Sequence, residues 1–479
     1  MGLFLFVFNF KIKNFLKNYK LILILVLISF IGILVHKNHD DFFYYHFGYT
    51  FSLVNFTKII GLGNLEHGFR TPSSIFYLNS LYYLPGINYF IMHSGAILFF
   101  LFSNIFFVEK IFKLKTSRKN FFILFLCLFS FIFVNTIFSR ISEHGTDRSA
   151  LILVFVLSVI LLESLNNKIK TFRLFESYYN KILIILFLII SLKVFYLIYL
   201  VFLLLFFYEY KLVLNNFLNL KKILINKYTI LFCVGLFLII FTMFLNTGCF
   251  IYPASFTCVD KVSWAIETGQ VKKMHEWYEL WSKAGASPNY RVENPLNYIK
   301  NFNWVSNWMN NYFFNKVSDF IFALAFISIV VILFFNSSKK NITKINFKFF
   351  YILSILLLIE WFYNHPALRY GGYSLIALLI FIPVSIYLSK ISKLKNFFYK
   401  FKIIIFISLF FFLSKNIIRI YDENSKYGYH PFKNPYYDFN EKLFDYDKTL
   451  TELKKVSTKN NKKLLIINKE LLKEVEASK

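Results

Sequence analysis

The chain has 479 residues, 57% of them hydrophobic and 22% aromatic, and its 54 Lys and Arg outweigh 26 Asp and Glu to give a net charge of +28. Only 17% are charged, against roughly 25% in soluble domains, and the apolar residues come in long unbroken runs, which excludes an ordinary soluble globule. Runs such as residues 21–35 also argue against a nucleic-acid partner as the reason for the positive charge.

A helix crosses the hydrocarbon with about 20 apolar residues. Eleven segments meet or approach that ruler: 19–35, 86–108, 121–139, 149–165, 182–192, 194–208, 228–245, 317–336, 349–363, 374–389 and 403–418. The expected fold is therefore an all-α, polytopic integral membrane protein with about eleven transmembrane helices. The fifth and sixth segments are short and separated by Lys193 alone. They read as two short helices meeting at a buried lysine, because a single tilted helix would upset the alternation of every later segment.

Orientation follows from Lys and Arg, which accumulate in cytoplasmic loops. The segment before the first span and the segment after every second span are rich in Lys and Arg, with only Glu109, Glu176 and Glu209 opposing them. The amino terminus is thus expected inside and the carboxyl end outside, with the function on the outward face of the membrane. The sequence after Val35 has no small-x-small cleavage pattern, so the first span is read as retained. Residues 1–418 form the membrane domain, with a first outward loop at 36–85 and a long, Trp-rich outward loop at 246–316 that reads as juxtamembrane helices. Residues 419–479 form a polar outward tail or subdomain.

On the outward side the polar residues gather into a few short motifs. Asp40 and Asp41 follow the first span beside His39 and His46. Adjacent carboxylates raise one another's pKa, which suits a general base, and they also permit a divalent cation such as Mg or Mn. The bland alternative is an interfacial belt of Asp and Tyr. Residues 61–74, GLGNLEHGFRTPSS, supply turn-forming glycines with His67 and Arg70 as anion donors. The turn at 140–148 holds Glu143, His144, Asp147 and Arg148, and reads either as part of a site or as two surface ion pairs capping helices. Lys193 between apolar runs carries an insertion penalty of roughly 2.5 to 3.5 kcal/mol, so it is expected to face a polar cavity on the outer side, the alternative being a lysine that snorkels to the outer headgroups. The stretch 360–373 joins Glu360, His365, Arg369 and Tyr370 to a Pro366 helix stop and a Gly371-Gly372 turn. Cys249 and Cys258 share the long outward loop, where a disulfide is permitted; spacing alone leaves the pairing open.

The arrangement resembles the GT-C-type glycosyltransferases, polytopic enzymes that take sugar from a polyprenyl-phosphate carrier. The resemblance rests on Asp40-Asp41 after the first span, on juxtamembrane helices, on Lys193 within a short paired span, and on Thr247-Gly248 to Pro253 opening an outward loop. It also extends to a group of bacterial membrane proteins sharing the phrases at 61–74 and 365–373. What it implies is transfer of a sugar from a polyprenyl-phosphate donor to a glycan, lipid or protein acceptor in the cell envelope. Asp41 or Asp40 would be the base, and Lys193, Arg369 and Arg70 would hold the donor phosphate. The other expectations weighed are a transporter or flippase of lipid-linked sugars, a surface-polysaccharide polymerase or ligase of another membrane fold, and an inert scaffold, which leaves Lys193 without a reason.

Overall fold

The computed structural model of the protein describes residues 19–34, 45–55, 60–64, 67–86, 91–92, 94–114, 120–140, 145–214, 217–287, 292–335, 347–390 and 397–427. Among them the architecture is helical, with no strand. In chain order the helices are α1 (Tyr19–Leu34), α2 (Phe47–Asn55), α3 (Ser74–Ser80), α4 (Gly95–Lys113), α5 (Phe121–Thr136), α6 (Asp147–Asn167) and α7 (Phe172–Leu192). There follow α8 (Val201–Glu209), α9 (Lys227–Thr247), α10 (Thr268–Lys283), α11 (Val305–Phe335), α12 (Lys348–Asn364), α13 (Gly372–Ser389) and α14 (Phe397–Tyr427). Short helical turns join several of these.

Among the described residues seven helices, α4, α6, α7, α9, α11, α13 and α14, are long and apolar enough to cross a membrane. Segments Lys20–Leu34, Phe121–Thr136 and Val194–Glu209 are apolar but shorter, and α12 has 17 residues. The eleven sequence segments each find a helix, but fewer than eleven reach full spanning length. The fifth is longer than its apolar run: α7 starts at Phe172 and takes in Arg173, Glu176 and Lys181 before the hydrophobic stretch begins. The eighth is longer as well, because α11 runs unbroken through a π-helical stretch at Met309–Val317.

The core is centred on α5, whose residues from Phe122 through Asn135 are all buried. A helix that is apolar all round belongs in an interior. Helices α4, α6, α13 and α14 pack around it, α7 lies against α6, and α9 lies against α7. Ring stacks such as Phe129 on Phe381 and Phe100 on Phe412 tie α5 to α13 and α4 to α14, with centroids 4.9 and 4.7 Å apart. The outer helices show the reverse. On α9, Leu231, Val234, Phe237 and Leu238 are exposed, as are Phe322, Phe326 and Leu333 on α11. Continuous apolar faces of this extent are not compatible with water around the bundle and match a lipid surround.

Helix α6 sets the vertical scale. Asp147 stands in its first turn, where the helix dipole favours a carboxylate, and Glu163 lies about 24 Å further along at 1.5 Å per residue. Glu163 is buried and takes Lys110 of α4 on both oxygens, at 2.7 and 2.6 Å. The two ends of the bundle thus each hold a buried ion pair. The Asp147 pair is built into a wider polar site.

Helix α14 runs to Tyr427, so the first residues of the sequence-defined tail continue a helix. There Asn416 donates to the Ser139 carbonyl at 3.2 Å and Arg419 pairs with Glu423 at 2.8 Å. The rest of the tail, 428–479, lies outside the described residues.

Candidate functional site at the Asp147 end

Lys193 sits where α7 stops. Its backbone is extended, with φ −155° and ψ 112°, and a 3-10 turn, Val194–Leu200, begins immediately after it. A helix end leaves carbonyls without partners. Ser73 Oγ donates to the Leu192 carbonyl at 2.6 Å, and Ser74 Oγ lies 2.8 Å from Ser191 Oγ. Ser73 also caps α3 through the Ile75 amide. The Pro72-Ser73-Ser74 phrase therefore fastens the first loop onto the helix break that presents Lys193.

The lysine does not face lipid. Its ammonium pairs with Asp147 Oδ1, and Arg369 Nε donates to Asp147 Oδ2 at 2.8 Å. Asp147 is 7% exposed, which rules out the solvated surface pair that the sequence also allowed. Lys193 thus meets one Asp147 oxygen and Arg369 the other. The neighbouring Arg148 points elsewhere, donating to the Arg140 carbonyl at 2.6 Å and lying over the Phe138 ring.

Arg369 is held by its backbone. In the turn between α12 and α13, Trp308 donates to the Pro366 carbonyl at 3.0 Å, Trp361 to the Ala367 carbonyl at 2.8 Å and Tyr196 to the Arg369 carbonyl at 3.0 Å. The Leu368 amide donates to the Tyr312 hydroxyl at 2.8 Å. Gly371 follows at φ +118°, a left-handed conformation that L side chains seldom adopt. Four aromatic side chains from three separate segments thus fix one short turn.

A second cluster surrounds Arg70. Its Nε donates to the Gly63 carbonyl at 3.0 Å and its Nη1 to the Tyr252 hydroxyl at 3.2 Å. Among the described residues no carboxylate pairs with it. Gly63 lies against the end of α9, where an added Cβ would come within 2.8 Å of the Asn246 carbonyl oxygen. Asn246 in turn donates to the Tyr49 hydroxyl and the Phe69 carbonyl. The Thr247-Gly248 phrase ends α9, and the following loop returns through Val259 to the Gly248 carbonyl and Ile266 to the Thr247 carbonyl. Cys249 and Cys258 form a disulfide across that loop, which carries Tyr252.

Helix α10 joins the clusters. Tyr278 and Trp281, three residues apart, lie on one face of it. The Tyr278 hydroxyl is 2.9 Å from His67 Nε2. Burial pushes its phenol well up, with Tyr252 and Tyr370 adding and the nearby charges of Arg70 and Arg369 opposing. Tyr278 is therefore a hydroxyl that feels both arginines. Trp281 has the Arg369 guanidinium over its ring at 5.4 Å and the Tyr370 ring at 6.2 Å. The Lys193 ammonium lies 4.4 Å from the centre of the Tyr370 ring. At the far end of α10, Lys283 is buried against Glu279 and over the rings of Trp304 and Tyr363, which pins the helix in place.

Of the other expected residues, His365 packs between Phe195 and Tyr370, with His275 of α10 at 6.4 Å between ring centroids. Its Nδ1 is buried without a hydrogen-bond partner. Glu360 is one turn back on α12 and accepts from Asn364. His46 is buried against Tyr45 and Phe76. Asp40, Asp41, Glu143 and His144 lie outside the described residues. No group of three or more His, Cys, Asp or Glu suited to a metal ion occurs among the described residues.

The site thus brings together Arg70, His67, Asp147, Lys193, His365, Arg369 and Tyr370 from the sequence motifs. The sequence marks Tyr252 and Trp281 only as members of the long, aromatic-rich outward loop, and Tyr278 not at all.

Fold and site together define a polytopic helical membrane protein with a buried, aromatic-lined cationic centre at one end of its bundle. By sequence, the chain belongs to the family described as Domain of unknown function (DUF8201), whose model matches residues 1–376. That stretch contains Arg70, Asp147, Lys193 and Arg369. No curated protein and no solved structure matches the chain.

Proposed function

We propose that the protein is a GT-C-like membrane glycosyltransferase that moves a sugar from a polyprenyl-phosphate donor to a glycan, lipid or protein acceptor. The observation that carries this reading is the convergence on α10 of Arg70, the Lys193–Asp147–Arg369 triad, and the rings of Tyr278, Trp281 and Tyr370. Cations supply the charge that a leaving phosphate needs. Aromatic walls with a few polar groups suit a sugar ring and a lipid stem. The apolar faces of α9 and α11 offer the donor chain a lipid-side path.

In the reaction the acceptor hydroxyl oxygen attacks the anomeric carbon. The carbon–oxygen bond to the phosphate breaks with its electron pair going to the phosphate, and the hydroxyl proton passes to a carboxylate. Asp147 is poorly placed for that proton, since both its oxygens are occupied by cations. Asp41, with Asp40 as its neighbour, takes the role. Tyr45, four residues on from Asp41, lies against Gly68, where an added Cβ would meet its ring at 2.3 Å, and Gly68 is two residues from Arg70. A Mg or Mn ion at the aspartate pair is compatible with the chemistry, and no step here depends on one.

The topology that goes with this function has eleven spans, the amino terminus inside and the Asp147 end on the outer face of a bacterial inner membrane. The test replaces Asp40 and Asp41 singly by Asn and follows transfer of labelled sugar from polyprenyl-phosphate donors. At least one replacement should abolish transfer while donor binding survives. Full activity in both variants removes the base assignment.

A further inference from the structure

We infer that Asp147 occupies the position of the donor phosphate between Lys193 and Arg369, and that binding of a lipid-linked phosphate draws Arg369 away from it. The inference rests on the donor reading above and assigns Asp147 a specificity-determining role within that site. Three features support it. Asp147 presents one oxygen to each cation, as a bridging phosphate would. Its carboxylate is fixed to the first turn of α6, inside the best-buried spanning helix of the bundle, so it cannot follow a ligand. Arg369 is the more exposed of its partners, with a side chain 35% exposed against 21% for Lys193, and its guanidinium already lies over Trp281 on α10. Arg70, whose guanidinium bonds the Tyr252 hydroxyl, has no carboxylate partner among the described residues and makes the first contact with the anion.

A site arranged in this way rejects weak anions. A ligand has to offer Arg369 more than Asp147 does, and a free inorganic phosphate, without the lipid stem, lacks the added apolar binding energy. The carboxylate also holds the two cations together when no donor is present, avoiding two uncompensated buried charges.

The full chain in lipid nanodiscs is titrated with farnesyl phosphate, farnesol and inorganic phosphate, following tryptophan fluorescence. Wild type should bind farnesyl phosphate well above the other two. Asp147→Asn should tighten farnesyl phosphate by about tenfold and raise inorganic phosphate binding into the measurable range. Because that variant leaves both cations without their counter-charge and can fail to fold, Lys193→Gln and the charge-balanced Lys193→Gln/Asp147→Asn are compared as well. Lys193→Gln alone leaves Asp147 wholly to Arg369 and should weaken binding; adding Asp147→Asn should restore it. Unchanged or weaker binding in Asp147→Asn, or a double variant no better than Lys193→Gln, overturns the inference. Absence of farnesyl phosphate binding in wild type and every variant removes the donor reading itself, and this inference with it.

Discussion

At the scale of single residues, the site depends on which basic groups are already engaged. Arg70 uses Nε on the Gly63 carbonyl and Nη1 on Tyr252, so its planar fork is oriented before any ligand arrives. Lysine cannot reproduce two fixed bonds and still offer a donor outward. Arg70→Lys should weaken farnesyl phosphate binding by about tenfold, read in the same titration, and wild-type affinity would place the anion elsewhere. His365 makes a different prediction. Burial pushes its imidazole down from the ordinary 6.5 to about 4, with His275, Lys283 and Lys193 adding to the effect. It is neutral in the folded protein, so its contribution is complete above pH 6.5 and is lost as pH falls toward about 4, where the unfolded chain binds the extra proton. The melting temperature should fall across that window, and His365→Gln should flatten the fall. An unchanged pH profile would mean that the ring is already solvated.

At the scale of elements, the two ends of α6 test different things. The Glu163–Lys110 pair lies far from the site and joins α6 to α4. Removing one partner of a buried pair destabilises by about 3 kcal/mol. Glu163→Gln should therefore lower the melting temperature and leave farnesyl phosphate affinity unchanged in the protein that remains folded; a loss of affinity would show that the ends are coupled. Much at this scale was legible in the sequence. The helix stop at Lys193, the Pro366 and Gly371-Gly372 turn and the Thr247-Gly248 cap appear because charge, proline and glycine leave local signals. The start of α7 was not legible, since Arg173, Glu176 and Lys181 break the hydropathy while the helix continues. The partner of Lys193 was also hidden. Asp147 is 46 residues from Lys193 in sequence and 222 from Arg369, and no local pattern in a single chain reports such contacts. Asp147 therefore read equally well as a surface cap. Trp281 looked like part of an interfacial Trp-rich helix for the same reason.

At the scale of the whole molecule, the positive charge and the site occupy different places. About half of the basic residues lie in the segments expected to orient the chain, many of the others lie in the long loop and the tail, and Arg70, Lys193 and Arg369 belong to neither group. If the charge bias sets the topology, a reporter active only outside the cytoplasm should work when fused after Tyr373 and fail after Lys344; the reverse result would turn the site toward the cytoplasm. Among the described residues seven helices are long and apolar enough to cross a membrane, with shorter apolar helices beside them. The proposed donor would keep its polyprenyl chain in lipid while its phosphate meets Arg70 and Arg369. The most direct measurement is photocrosslinking in native membranes with a diazirine-bearing polyprenyl phosphate, the diazirine next to the phosphate, and the matching alcohol as control. The phosphate probe should label α10 between Thr268 and Lys283, or the 61–74 loop, and the alcohol should not. Equal labelling by both probes, confined to the lipid-facing surfaces of α9 and α11, would contradict a phosphate site at the Asp147 end.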